Sequence, residues 1–211
     1  MKTDHRGAGT HRKCRGIRFV ALQGVLCVLF AASAFAAEIE IRLQHDDEAE
    51  QKTRDQLQRI LHQYDLKKWT FTEKVLIDDQ TIPHSHPVLT LHTRHLRSDD
   101  QLLSTYVHEQ LHWWLDQKID HTRAAEDELR RLYPKVPVGG SDGARDEEST
   151  YLHLIDCYLE MQADRELMGN DRTAQVMKFW AGDHYKWIYK TVMQDEVMIG
   201  EVVKKNGLEV K

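Results

Sequence analysis

The chain has 211 residues, 29 Lys and Arg against 34 Asp and Glu, and a net charge of −5. That length suits one medium domain with its own core, the acidic balance argues against nucleic acid as a partner, and 3 cysteines are too few for a disulfide scaffold. The 13 histidines are dense for a chain of this size and direct attention to metal-ligand spacing.

The N-terminus carries Lys2, Arg6, Arg12, Lys13, Arg15 and Arg18, followed by an apolar run from Phe19 to Ala37. Ala34-Phe35-Ala36 meets the small-x-small rule, so residues 1–36 are expected to be a cleaved signal peptide and residues 37–211 a single mature domain. The competing reading is an uncleaved anchor, because the run is just long enough to span a bilayer. Cleavage predicts a periplasmic or secreted protein with no stable membrane insertion. It leaves 23 basic against 33 acidic residues, a net charge of about −10, and Cys157 as the one remaining thiol.

Ile39, Ile41 and Leu43 alternate with polar residues, which predicts a half-buried strand over 38–43. Leu57, Ile60, Leu61 and Tyr64 recur at helical spacing and predict a surface helix over 47–66. Trp69, Phe71, Val75 and Ile77 read as a second strand, closed by a turn at Asp78-Asp79 and Pro83, and residues 88–93 as a third. Ser98 with Gln101 forms a capping box for an apolar-faced helix reaching about Lys118. A charged helix over 122–132 ends at Tyr133-Pro134, and residues 134–145 form an irregular loop. A further helix runs over 148–168 to Gly169-Asn170, and a last helical region over 183–205.

The sharpest chemical signal is His108-Glu109-Gln110-Leu111-His112 on the capped helix. Residues four apart share a helix face, so both imidazoles can reach one tetrahedral zinc ion. Glu109 lies beside the first ligand but off that face, where it can accept a proton from water without binding metal. This pattern resembles the zincin superfamily of metallopeptidases over about residues 88–164. The resemblance implies an α+β fold, mostly helical, with a small antiparallel or mixed sheet beside the active-site helix. It also implies an edge strand, here 88–93, that pairs with an extended substrate. The longer HExxHxxGxxH pattern is absent after His112, which argues against the metzincin branch.

A catalytic zinc needs a third protein ligand and an open position. Glu160-Met161-Gln162-Ala163-Asp164 fits the ExxxD pattern of the gluzincin-like branch, so Glu160 is preferred as third ligand, with His153 competing for the role. The two are about 10 Å apart along a helix, so both cannot bind one ion. If Glu160 ligates, His153 is left to orient substrate or support an oxyanion. His153, Asp156, Glu160 and Asp164 form one ionisable stripe on an otherwise apolar helix; it needs buried partners unless it faces solvent. Glu147 and Glu148 are weaker ligand candidates, and His184-Tyr185 a possible proton donor. His84, His86, His92 and His95 read as an adventitious cluster, Trp113 and Trp114 as packing or cleft wall, and Cys157 as a small buried hydrophobe. The resulting expectation is a zinc-dependent peptidase acting on a peptide or protein, with Glu109 as general base. The alternative is a non-catalytic zincin-like binding or structural module.

Overall fold

A computed structural model describes residues 39–211; the leader expected over residues 1–36 lies outside the described residues. In chain order the elements are β1 (Glu40–Leu43), α1 (Glu48–Gln63), β2 (Lys74–Ile77), β3 (Leu89–Leu91), α2 (Asp99–Gln117), α3 (Ile119–Leu132), α4 (Glu147–Met168), α5 (Asn170–Asp183), α6 (Lys186–Gln194) and α7 (Glu196–Lys205). The α+β, mostly helical class expected from the sequence is what is observed. Among the described residues, no helix is long and apolar enough to cross a membrane.

The sheet corrects one expectation. It is three-stranded in the order β1-β2-β3 and parallel throughout, with Ile41 opposite Val75 and Val75 opposite Leu89, rather than antiparallel or mixed. Parallel neighbours need a crossover. Helix α1 supplies the first, and the loop over residues 78–88 doubles back to supply the second. The only antiparallel contact among the described residues is an isolated bridge in which His84 and Thr90 exchange both backbone hydrogen bonds, at 3.1 and 2.7 Å. Thr90 is the β3 residue turned away from β2, so its outward amide and carbonyl are already paired. This removes the open ladder on which the substrate-pairing role expected for residues 88–93 depends.

Helix α2 begins at Ser98, whose hydroxyl accepts from the Gln101 amide at 3.3 Å. The reciprocal half of the expected capping box is not made, because Ser98 N donates to His95 O and the Gln101 side chain lies 3.1 Å from His95 Nδ1. It carries Leu103, Val107 and Leu111 into the core beside Leu57 and Ile60 of α1 and Leu89 and Leu91 of β3, all fully buried. Gln110, inside the HExxH segment, locks this helix to the chain entering β2. Its side-chain oxygen accepts from the amides of Phe71 and Thr72 at 2.6 and 2.8 Å, and its nitrogen donates to Thr72 O at 2.9 Å. The helix that bears the motif therefore has one fixed rotation against the sheet.

Helix α4 packs on α2 in the opposite direction. Ser104 meets Glu160 while His108 meets Asp156, so residue numbers rise along one helix as they fall along the other. Two features depart from the expected helices. Helix α5 has no counterpart among the expected elements, which stop at Gly169-Asn170 and resume at residue 183. Gly169 does take a left-handed φ of 83°, but it only turns the chain, and α5 then buries Thr173, Val176, Met177 and Trp180 at helical spacing. The last helical region is two helices, broken at Asp195, whose carboxylate accepts from Tyr133 Oη at 2.9 Å.

No side chain caps the N-terminus of α6. Its first amides are satisfied by the 134–145 loop instead, Lys186 N donating to Ser141 O at 2.9 Å and Trp187 N to Asp142 O at 3.2 Å. The loop can adopt this path because Gly143 lies against Pro137; a Cβ at that position would stand 2.1 Å from the Pro137 carbonyl oxygen. Gly143→Ala is therefore expected to cost about 1–3 kcal/mol of stability in urea unfolding, the scale of overpacking. A variant within about 0.5 kcal/mol of the parent would show that the close approach is unimportant.

Candidate metal centre

Across the antiparallel α2–α4 contact, His108 and His112 from α2 face His153 from α4. A nitrogen from each of the three lies within 4.8 Å of the other two. Ring centroids are 5.0 Å apart for His108–His112, 5.1 Å for His112–His153 and 5.6 Å for His108–His153. The stripe on α4 faces inward along its whole length, since His153, Asp156, Glu160 and Asp164 are all buried.

The surroundings favour the neutral form of two of the imidazoles and the charged form of the third. His153 Nδ1 donates to the Ser149 carbonyl at 2.6 Å, which leaves its Nε2 lone pair free. Burial, reinforced by His112 and His108, pushes the His153 pKa down to about 3, so the ring is neutral. Burial likewise lowers the His112 pKa. His108 Nδ1 donates to Glu160 Oε2 at 3.0 Å. Burial acts against charge on His108 too, but Asp156 outweighs it and holds its pKa well above the ordinary value.

Glu160, preferred from the sequence as third ligand, is committed elsewhere. Ser104 Oγ donates to one of its oxygens, and Tyr189 Oη donates to the other at 2.8 Å, the oxygen that also receives His108 Nδ1–H. Trp180 Nε1 in turn donates to Ser104 Oγ at 3.0 Å. A carboxylate held in this way orients a ligating histidine. Glu160 also belongs to a second set of neighbouring donors, with His108 and Cys157. That set is fully buried, and burial pushes the Cys157 thiol up to about 12, so the sulfur is protonated and a poor ligand at neutral pH.

Asp156 is the residue whose position most needs explaining. Its Oδ2 lies 2.8 Å from His108 Nδ1 and 3.7 Å from His112 Nε2. Yet neither oxygen receives a well-directed hydrogen bond, because the His108 N–H points at Glu160. Burial alone would raise its pKa, but His108 and His112 outweigh that and keep it ionised. A buried, ionised and unbonded carboxylate costs several kcal/mol unless positive charge is nearby. His108, whose pKa Asp156 holds well above its ordinary value, supplies that charge at 2.8 Å here, and a divalent cation on the adjacent imidazoles would supply it in its place.

Glu109 lies beside this cluster, buried yet lining a cavity of about 670 Å³. Burial raises its pKa to about 8; His108 opposes the shift, and Asp156 and Glu160 add to it. His184 and Tyr185 line the same cavity. Tyr185 sits in the left-handed region at φ 47°, ψ 38°, unusual for a residue with a Cβ, and its ring centroid is 4.5 Å from that of His153. The bonds from Ser141 and Asp142 to α6 hold it there.

The remaining sequence candidates separate. Glu147 and Glu148 are exposed. The four histidines of the second cluster do not converge: His95 is buried edge-on against Trp180 at 5.2 Å, while His86 stacks on Trp113 at 4.2 Å. Trp114 packs on Phe71 at 5.3 Å, as a core residue does. Ser104 and Tyr189 were not singled out from the sequence. Ser104 had a signal, because it precedes His108 by four residues on the same face; Tyr189 had none. No protein-family model, curated protein or solved structure matches the chain.

Proposed function

We propose that the chain is a zinc-dependent hydrolase acting on peptide bonds, with the metal on His108, His112 and His153. The observation that carries this reading is the convergence of three histidines beside a buried, unbonded Asp156 carboxylate, with Glu109 next to them on the cavity wall. Zinc on such a donor set supplies Lewis acidity and lowers the pKa of water from 15.7 to about 7. Glu109 accepts the proton from the attacking water and delivers it to the leaving nitrogen; a carboxylate with its pKa raised toward neutrality suits both transfers. Asp156 and Glu160 hold the imidazoles in place, and Tyr185 or His184 donates to the developing oxyanion. The HExxH resemblance to zincins is consistent with these roles. The parallel sheet and the occupied edge of β3 shift substrate binding from the sheet edge to the cavity.

Chelator-treated protein is expected to lose turnover of a mixed peptide substrate pool and regain it with one equivalent of zinc per chain. Undiminished cleavage by fully chelated protein would contradict the proposal. Stoichiometric zinc without cleavage of any peptide would favour the non-catalytic module.

A further inference from the structure

We propose that Asp116 selects the substrate by binding a cationic group, either an α-amine or a Lys or Arg side chain, next to the bond cleaved. This rests on the hydrolase reading above. His108, His112 and Asp116 fall at successive steps of four on α2, so Asp116 extends the ligand row by one turn, about 6 Å. That is the reach of one to two residues of extended peptide, at about 3.3 Å each. The carboxylate lines the same cavity as Glu109 and His153.

The charges on this cavity wall are unequal. Arg94 is matched by Asp183 at 2.6 Å, and Arg145 by Asp146 at 3.0 Å. Among the described residues Asp116 pairs with His86 alone, whose Nε2 lies 3.1 Å away, and an imidazole carries no obligatory charge as a guanidinium does. Ser85 Oγ lies 2.9 Å from the other ring nitrogen, and the ring stacks on Trp113, whose Nε1 donates to Ser85 O at 2.9 Å. Asp116 is thus, among the described residues, a carboxylate of the cavity wall without a strong cation, and such a group favours ammonium and guanidinium partners. Because His84 occupies the outward groups of Thr90, main-chain pairing along β3 cannot supply recognition, and the side chains of the cavity must.

The test compares zinc-loaded parent and Asp116→Asn on four short peptides: free or acetylated at the N-terminus, each with Lys or norleucine beside the cleaved bond. The parent is expected to favour cationic peptides by roughly 3- to 10-fold in kcat/KM, the scale of one partly exposed ion pair. Asp116→Asn should bring the ratio of kcat/KM between cationic and neutral peptides, measured within the variant itself, down to about 1. Loss of preference on acetylation assigns the α-amine, and loss on norleucine substitution assigns the side chain; either supports the proposal. Equal cleavage of all four by the parent, or a preference that survives in Asp116→Asn, overturns it and leaves the hydrolase reading standing. Cleavage of none by the parent overturns both.

Discussion

Glu109→Gln is expected to keep its zinc and lose about 10³-fold in kcat, within the 10²–10⁴ range of a missing general base. The substitution is nearly isosteric and removes only the proton-accepting oxygen. Glu109 is buried, so the amide replaces a group that burial already pushes toward neutrality, and folding should tolerate the change. Metal content measured beside turnover separates the roles. A variant without zinc would make Glu109 part of the metal-holding set, and one with zinc and full turnover would remove it from the mechanism.

The second large effect distinguishes the third ligand. His153→Ala removes a donor whose Nδ1 is tied to Ser149 O, and zinc affinity should fall by well over about 100-fold, beyond what loss of an orienting partner causes. Glu160→Gln should cost about 10- to 100-fold, because it loosens the grip on His108 without removing a donor atom. Competition against a coloured chelator measures both. The reverse order, with Glu160 the more important, would restore the ligand set preferred from the sequence and place His153 at the substrate.

These two residues mark what local sequence signals carry and what they do not. The capped helix from Ser98 and its motif were legible because local signals determine them: a cap, a 3.6-residue period, and two histidines four apart. The ionisable stripe on α4 was legible for the same reason. Which member of that stripe meets the histidines depends on the crossing of α2 and α4, where Ser104 stands opposite Glu160 and His108 opposite Asp156. A crossing register is a tertiary quantity and leaves no local trace. Strand direction failed similarly: the strands were found from alternation and β-branched content, but whether the 78–88 loop reverses the chain once or twice is not encoded in its turn residues. Helix α5 is different, since Thr173, Val176, Met177 and Trp180 carried a readable period that the Gly169-Asn170 stop signal masked.

The central claim is that three histidines from two antiparallel helices hold one metal ion. Calorimetric titration of chelator-treated wild-type protein with zinc tests it most directly. The account predicts one site per chain and a rise in melting temperature on loading, since binding to the folded state alone stabilises it. No binding at neutral pH, with an unchanged melting temperature, would contradict it.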